Sequence, residues 1–454
     1  MKPALKLAML ACCILAAMAL SSQDIGLDSV TSAGFTFGDA NAMSLSETIQ
    51  PWFSLPLGKD GEFTGRGHIG LSMALDFAAP PALVRFPGDL DELKMAFSFG
   101  SPEEDLQSFG LTLGRFAFED PSGMILYHPA DGMALSFSYP ALDLDFRAGY
   151  TGFILRNAST MILSKADLLR QAKTDGLVFA DYFATPRLIS QARLDLKKLG
   201  GHQVGLSFLM QTDLNPEEGM IAPGTKEFQP AGYGAVNTQY AILKGRGPLF
   251  LEGLSYDAWF AYGSGSSLGW VDEPTSSTGS IYDYVSILSF AGGATFSYAI
   301  PAFLDSSASL RVLAASGDPN ATSIIEGATT RQATTFIPLV PSALGSVFSP
   351  GLSNLIFIEA AFNAQPWSGQ DLSAGASLKT FLRPTAGPVD VSGFNTVTGS
   401  TSAYMGLEID LYAVYGIFSD LAVSFNGGVY FPGAAIDADS PVQAAISLGA
   451  TVKL

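Results

Sequence analysis

The sequence predicts an all-β fold, a transmembrane antiparallel β-barrel, and three observations carry that expectation. The first is composition. Apolar residues reach 48% and charged residues only 15%, with 48 glycines and 32 phenylalanines. Yet beyond the N-terminal segment no apolar run approaches the ~20 residues of a spanning helix. The second is periodicity. Short segments alternate apolar with small or polar residues, which places two different surfaces on one extended strand. The third is spacing, because short and long connections take turns along the chain, as they do between the strands of outer-membrane barrels.

The N-terminal segment comes first. Lys2 and Lys6 precede an apolar run from Leu7 to Leu20, and small residues follow at Ala19–Ser22. That pattern predicts a secretory signal peptide over 1–22 and a mature barrel domain over 23–454. Cys12 and Cys13 are the only cysteines, so the mature chain is expected to hold no disulfide and no cysteine metal site. The formal charge of −18 argues against nucleic acid as a partner.

Strands are expected near 27–37 and 45–56, then through "HIGLSMALDF", where Ile69, Leu71, Met73, Leu75 and Phe77 share a face. "ALDLDFRAGY" sets Leu142, Leu144, Phe146 and Ala148 against Asp143, Asp145 and Arg147. "HQVGLSFLM" sets Val204, Leu206, Phe208 and Met210 against Gln203, Gly205 and Ser207. Residues 281–300 read as one long strand with an irregularity at Gly292–Gly293. "YMGLEIDLYA" and "LAVSFNGGVYF" repeat the pattern, and "PVQAAISLGATVKL" closes the chain with Val442, Ala444, Ile446, Leu448, Ala450 and Val452 on one face. A final strand that runs inward and closes a barrel needs no cap, because closure removes the edge.

The second face separates this chain from a soluble sandwich. Water-facing sheet surfaces carry Lys, Glu and Thr, whereas here the second face is mostly Gly, Ser, Ala and Asn. Small polar residues suit a lumen and the apolar face suits lipid. Trp52, Tyr139, Tyr150, Trp259 and Tyr430 lie near strand ends and fit an interfacial girdle. Short turns are expected near 57–61, 101–107, 140–141, 197–201, 244–248, 302–306, 364–370 and 415–419. Long connections are expected near 78–91, 119–132, 153–187, 213–235, 264–280, 316–354, 384–401 and 432–441. The tally is about 18 strands, enough for a barrel that holds an aqueous channel.

With these features the chain resembles bacterial outer-membrane barrels, specifically large porins. The resemblance rests on the signal segment, the strand pattern over 27–454 and the terminal "SLGATVKL". It departs at the last residue, usually aromatic in that family and here Leu454. "LGRFAFEDPSGMILYHPADG" resembles the Gly-Arg region of alginate-export-type porins. "FTFGDANAMSLSE" lacks the Asn-Pro-Ala motif of fatty-acid transporters. The resemblance implies an outer-membrane location, contact with outer-membrane lipid and insertion by the barrel-insertion machinery.

No enzymatic pattern emerges. His68, His128 and His202 form no metal-ligand spacing, and His68 with Ser72 reads as solvated lumen residues. "GKDGEFTGRG" is a glycine-bearing turn and no phosphate cradle. No cofactor is expected. Function is therefore expected in the lumen charges, with Asp143, Asp145, Arg147, Arg193, Asp195, Asp257, Arg311, Glu359, Lys379, Arg383, Glu408 and Asp410 as pore-lining candidates. They either pair across strands or select solutes.

Two loops stand out. "SKADLLRQAK" places Ser164 as the N-cap of a short helix. "FIPLVPSALGSVFSP" is apolar within a loop, so Phe336, Ile337, Leu339, Val347 and Phe348 either fold inward as a constriction or pack on other loops. The reading is a passive channel for small hydrophilic solutes or ions. The alternatives are a plugged barrel with a structural or surface-interaction role, and a transporter of hydrophobic substrates. The sequence specifies no solute and no oligomeric state.

Overall fold

The computed structural model describes residues 24–454 apart from 39–40, 78–82, 86–87, 102–104, 174–178, 216–219, 230–233, 277–278, 322–327, 368, 391–393, 395–399 and 437–439. The expected signal segment lies outside the described residues. Eighteen strands form the wall. They are β1 (Asp24–Phe37), β2 (Ala42–Pro56), β3 (Gly61–Asp76), β4 (Gly88–Phe99), β5 (Ser108–Glu119) and β6 (Tyr127–Ser138). There follow β7 (Leu142–Tyr150), β8 (Arg187–Leu199), β9 (His202–Asp213), β10 (Asn237–Pro248), β11 (Leu254–Asp272) and β12 (Ser280–Ile300). The last six are β13 (Ser306–Ala315), β14 (Leu355–Ala364), β15 (Asp371–Leu382), β16 (Tyr404–Phe418), β17 (Leu421–Pro432) and β18 (Gln443–Lys453).

Each strand pairs antiparallel with its sequence neighbour, and β1 pairs with both β2 and β18. The sheet is closed. Two short segments lie beside the wall, Leu83–Arg85 against β3 and Gln332–Ala333 parallel to β12. The loop after β7 carries α1 (Lys165–Ala172), and the Asp167 carboxylate accepts the Ser164 N–H at 2.9 Å.

Alternation sorts the side chains as expected. Ile69, Phe208 and Leu448 are 69%, 56% and 52% exposed, with Leu71, Met210, Ile409, Leu411 and Ile446 also exposed on the outside. A soluble protein rarely shows so wide an apolar surface; in a membrane it is the lipid face. Charged groups interrupt the belt at more than one place. Asp131 shares the outward row of Met133 and Tyr127 and pairs with Arg115 at 2.8 Å. Glu47 lies in the outward row of Leu45 and Ile49, and accepts hydrogen bonds from Ser29 Oγ at 2.6 Å and from Thr31.

Several boundaries differ from expectation. β10 runs through Pro248, so the turn expected at 244–248 falls at 249–253. Most of the loop expected at 264–280 is strand, because β11 and β12 pair from Leu254–Tyr298 out to Asp272–Ser280. No register shift occurs at Gly292–Gly293; Gly293 sits opposite Trp259, and a Cβ there would meet the Trp259 Nε1 at 2.9 Å. The girdle also differs. Trp259 and Tyr430 are buried inside the barrel, while the rim of short turns carries the exposed Phe250, Phe303, Trp367 and Phe418.

Candidate functional site

The inner face divides into charged, filled and hydroxyl-lined regions. The charged region lies near the short-turn ends of β7–β11. Asp143 pairs with Lys197 at 2.6 Å, Arg147 with Asp145 at 2.5 Å, Arg193 with Asp195 at 2.6 Å, and Lys244 with Asp257 at 3.1 Å. Asp143, Arg193, Asp195, Lys197, Lys244 and Arg246 line a recess of about 450 Å³. These side chains are a fifth to two-fifths exposed, so water screens the pairs.

Lys197, Lys244 and Arg246 are absent from the sequence-derived candidates. Each shares the inward parity of Arg193, Asp195 or Asp257. All three fall within the turns expected at 197–201 and 244–248, where glycines near both strand ends mimic turn punctuation, yet the strands run on to Leu199 and Pro248. On the neighbouring wall His68 Nδ1 lies 2.7 Å from Asp91, and Lys94 lies 2.8 Å from Glu92.

The filled region lies toward the long-loop end. A contiguous apolar cluster includes Phe118, Ile125, Leu126, Ile189, Tyr240, Phe336, Leu339, Phe348, Phe357 and Phe381. Burial of such side chains is the main force holding loops inside the wall. The turn 120–126 is organised by Asp120, whose carboxylate accepts the N–H groups of Ser122, Ile125 and Leu126. The Ile125 carbonyl in turn accepts the Leu339 N–H at 2.8 Å. Tyr240 donates from its hydroxyl to the Ile337 carbonyl at 2.6 Å, and its ring meets Phe336 edge-on. Arg187, almost wholly buried, anchors the helix-bearing loop by pairing with Asp167 at 2.8 Å and Asp213 at 3.5 Å.

Residues 333–354 of the loop 316–354 pack against the inner wall. Phe336, Leu339 and Phe348 are fully buried, Ile337 nearly so, and Val347 partly. Its tip docks on β15–β17. The Phe348 ring stacks on Tyr430 at 4.4 Å between centroids and meets Phe381 and Phe394 edge-on. In the adjoining loop, Gly351 N–H donates to the Asp390 carbonyl, and burial raises the Asp390 carboxyl above its ordinary range.

Several candidates therefore serve this packing. Glu408 is fully buried and accepts backbone N–H groups from the loop tip, at 2.6 Å from Ser346, 3.1 Å from Val347 and 2.7 Å from Phe348. Arg383 is buried and donates to the Ser400 and Ser402 carbonyls. Lys379 is buried between Asp410 and, at 3.8 Å, Glu359. Arg311 lies over the Phe357 ring and donates to Met124 Sδ at 3.1 Å. A buried charge is held only where partners replace water, and each of these has them. His128 is likewise buried, in β6, with Nε2 at 3.2 Å from Ser159 Oγ and Nδ1 at 2.6 Å from the Pro129 carbonyl. Among the described residues no cluster has the composition of a metal site.

The hydroxyl-lined region spans β17, β18, β1, β2 and β3. Two neighbouring inward rows cross these strands. One reads Ser424, Gly449, Ser32, Ser46, Ser72 and the next Asn426, Ser447, Gly34, Ser44, Ala74. Neither row carries a charge. Asn426, Ser44 and Ala74 are exposed and the rest half-buried.

No protein-family model matches the sequence, and no curated protein is significantly similar to it. Solved structures do match. OccK5 (OpdH) and OccK7 (OpdD) of Pseudomonas aeruginosa each superpose with a TM-score of 0.53 at 9% identity, over 95% of this chain and 98% of theirs. OpdQ of the same organism gives 0.51 at 11% identity, over 95% and 99%. At such identities the likeness concerns architecture, and it establishes that this chain has the fold of a closed eighteen-strand outer-membrane-type barrel.

Proposed function

We propose that the protein is an outer-membrane channel for passive diffusion of small hydrophilic solutes or ions, exported by its N-terminal signal. The observation that carries this reading is the contrast of the two faces. The outside is an exposed apolar belt, while much of the inside carries hydroxyls and charges that remain exposed where loops do not cover them. A polar lumen inside a lipid-facing barrel is what a water-filled passage requires. Residues 333–354 narrow the lumen, and the charged recess between β7 and β11 lines its inner end. The expectation that the twelve charges all line the pore is narrowed in this reading. Asp143, Asp145, Arg147, Arg193, Asp195 and Asp257 face the passage, whereas Glu408, Arg383 and Lys379 hold its packing.

Reconstitution of the purified chain in planar bilayers tests the proposal. Discrete conductance steps are expected at neutral pH. A correctly folded barrel that never conducts would place the protein among plugged barrels, with the inward loops as its plug.

A further inference from the structure

Resting on the channel reading, we infer that Glu408 is the latch that sets the aperture: it holds the loop tip 345–348 as one jaw of the passage, and the two uncharged hydroxyl-bearing rows across β17, β18, β1, β2 and β3 are the other. The first support is the hydrogen bonding. Three successive N–H groups converge on one carboxylate, and charge-assisted bonds to N–H groups are among the stronger ones. The second is the close fit. A Cβ at Gly345 would lie 2.7 Å from Glu408 Oε1, and one at Gly428 would lie 2.9 Å from Ser346 Cβ. Two glycines thus let the tip approach both the carboxylate and β17. The third is the stacked seat of Phe348 on Tyr430, which fixes the tip on its far side.

The tip's other side stays open. Ser346 is exposed, and with Ser44, Asn426 and Ser447 it borders a recess of about 360 Å³, within the range of small-molecule sites (about 300–1,000 Å³). The walls of this recess are mixed: alanines and parts of Phe35, Met43 and Ile446 lie beside serine and threonine hydroxyls and the Asn426 amide, which both donate and accept hydrogen bonds. Such a passage makes no demand for charge. The solutes it suits are therefore small, neutral and polyhydroxylated, and any ion selectivity comes from the charged recess further in.

The test uses the full chain in planar bilayers and in liposomes. Glu408→Ala should raise single-channel conductance about two-fold and add rapid fluctuations, because a loosened tip no longer narrows the cross-section. Glu408→Gln, which keeps an acceptor but loses the charge, should fall between that variant and the parent. Ser447→Lys should shift the zero-current potential toward anions if ions pass this wall. Liposomes carrying the parent should swell faster in a neutral sugar than in salts of similarly sized organic anions or cations. Folded Glu408 variants with parental conductance and noise would overturn the latch. An unchanged zero-current potential in Ser447→Lys would overturn the assigned path, and equal swelling rates the solute class. A folded parent that never conducts overturns the channel reading itself, a separate outcome.

Discussion

The wall from β5 to the long-loop end of β17 and the wall from the middle of β17 to β3 share one outward pattern and differ in what they turn inward. On the first, Phe118, Ile189, Tyr240, Phe357, Phe381 and Tyr430 point in and are buried. On the second, Ser447, Ser32, Ser44, Ser46 and Ser72 point in and keep part of their surface free. The consequence follows from the hydrophobic effect. A bulky apolar side chain inside a wet barrel gains about 1.5–3 kcal/mol when a loop covers it, so the first wall recruits loops. Hydroxyls already satisfied by water gain little from being covered, so the second wall holds space. The difference teaches that inward side-chain size decides where such a barrel is filled and where it is open.

The contrast can be broken most drastically by removing the covering loop. Replacing 333–350 with a short Gly/Ser linker deletes Phe336, Leu339, Leu344 and Phe348 from the cluster. Conductance should rise by more than the roughly two-fold expected of Glu408→Ala, and circular dichroism should show the strands intact, since loops tolerate change better than strands. Unchanged conductance would mean that the loop lies clear of the passage.

A second change attacks the filled wall's polar seam. Lys379→Met leaves Asp410 and Glu359 without their shared cation, and removing one partner of a buried pair costs about 3–5 kcal/mol. Urea unfolding of the lipid-embedded barrel would read this as a large drop in midpoint. The third sharpens the assignment of faces. Leu448→Arg should cost about 2–4 kcal/mol near the midplane, whereas Ser447→Arg, one residue away and inward, should cost much less. Equal penalties would show the faces misassigned. The smallest effect is expected at Glu47. Glu47→Leu should slightly stabilise the barrel in lipid by removing a carboxylate from the apolar belt; a loss of stability would mean that its bonds to Ser29 and Thr31 outweigh its exposure.

By itself the sequence determined the barrel. Strand periodicity of two is a local property, so Ile69, Leu71, Phe208 and Leu448 were legible as one face from their spacing alone. Turn positions were less legible. Glycine and proline punctuate strands as well as end them, which is why the turn belongs at 249–253 and why β11 and β12 run on through residues expected as loop. The role of the lumen charges was decided only by tertiary structure. Asp143 and Glu408 are both inward carboxylates on alternating strands, and nothing local distinguishes them. Asp143 meets Lys197 in a recess open to water. Glu408 meets three N–H groups from a loop tip 60 to 62 residues earlier in the chain. What separates a charge that faces a solute from one that holds a loop is the partner the fold delivers, and that contact is non-local.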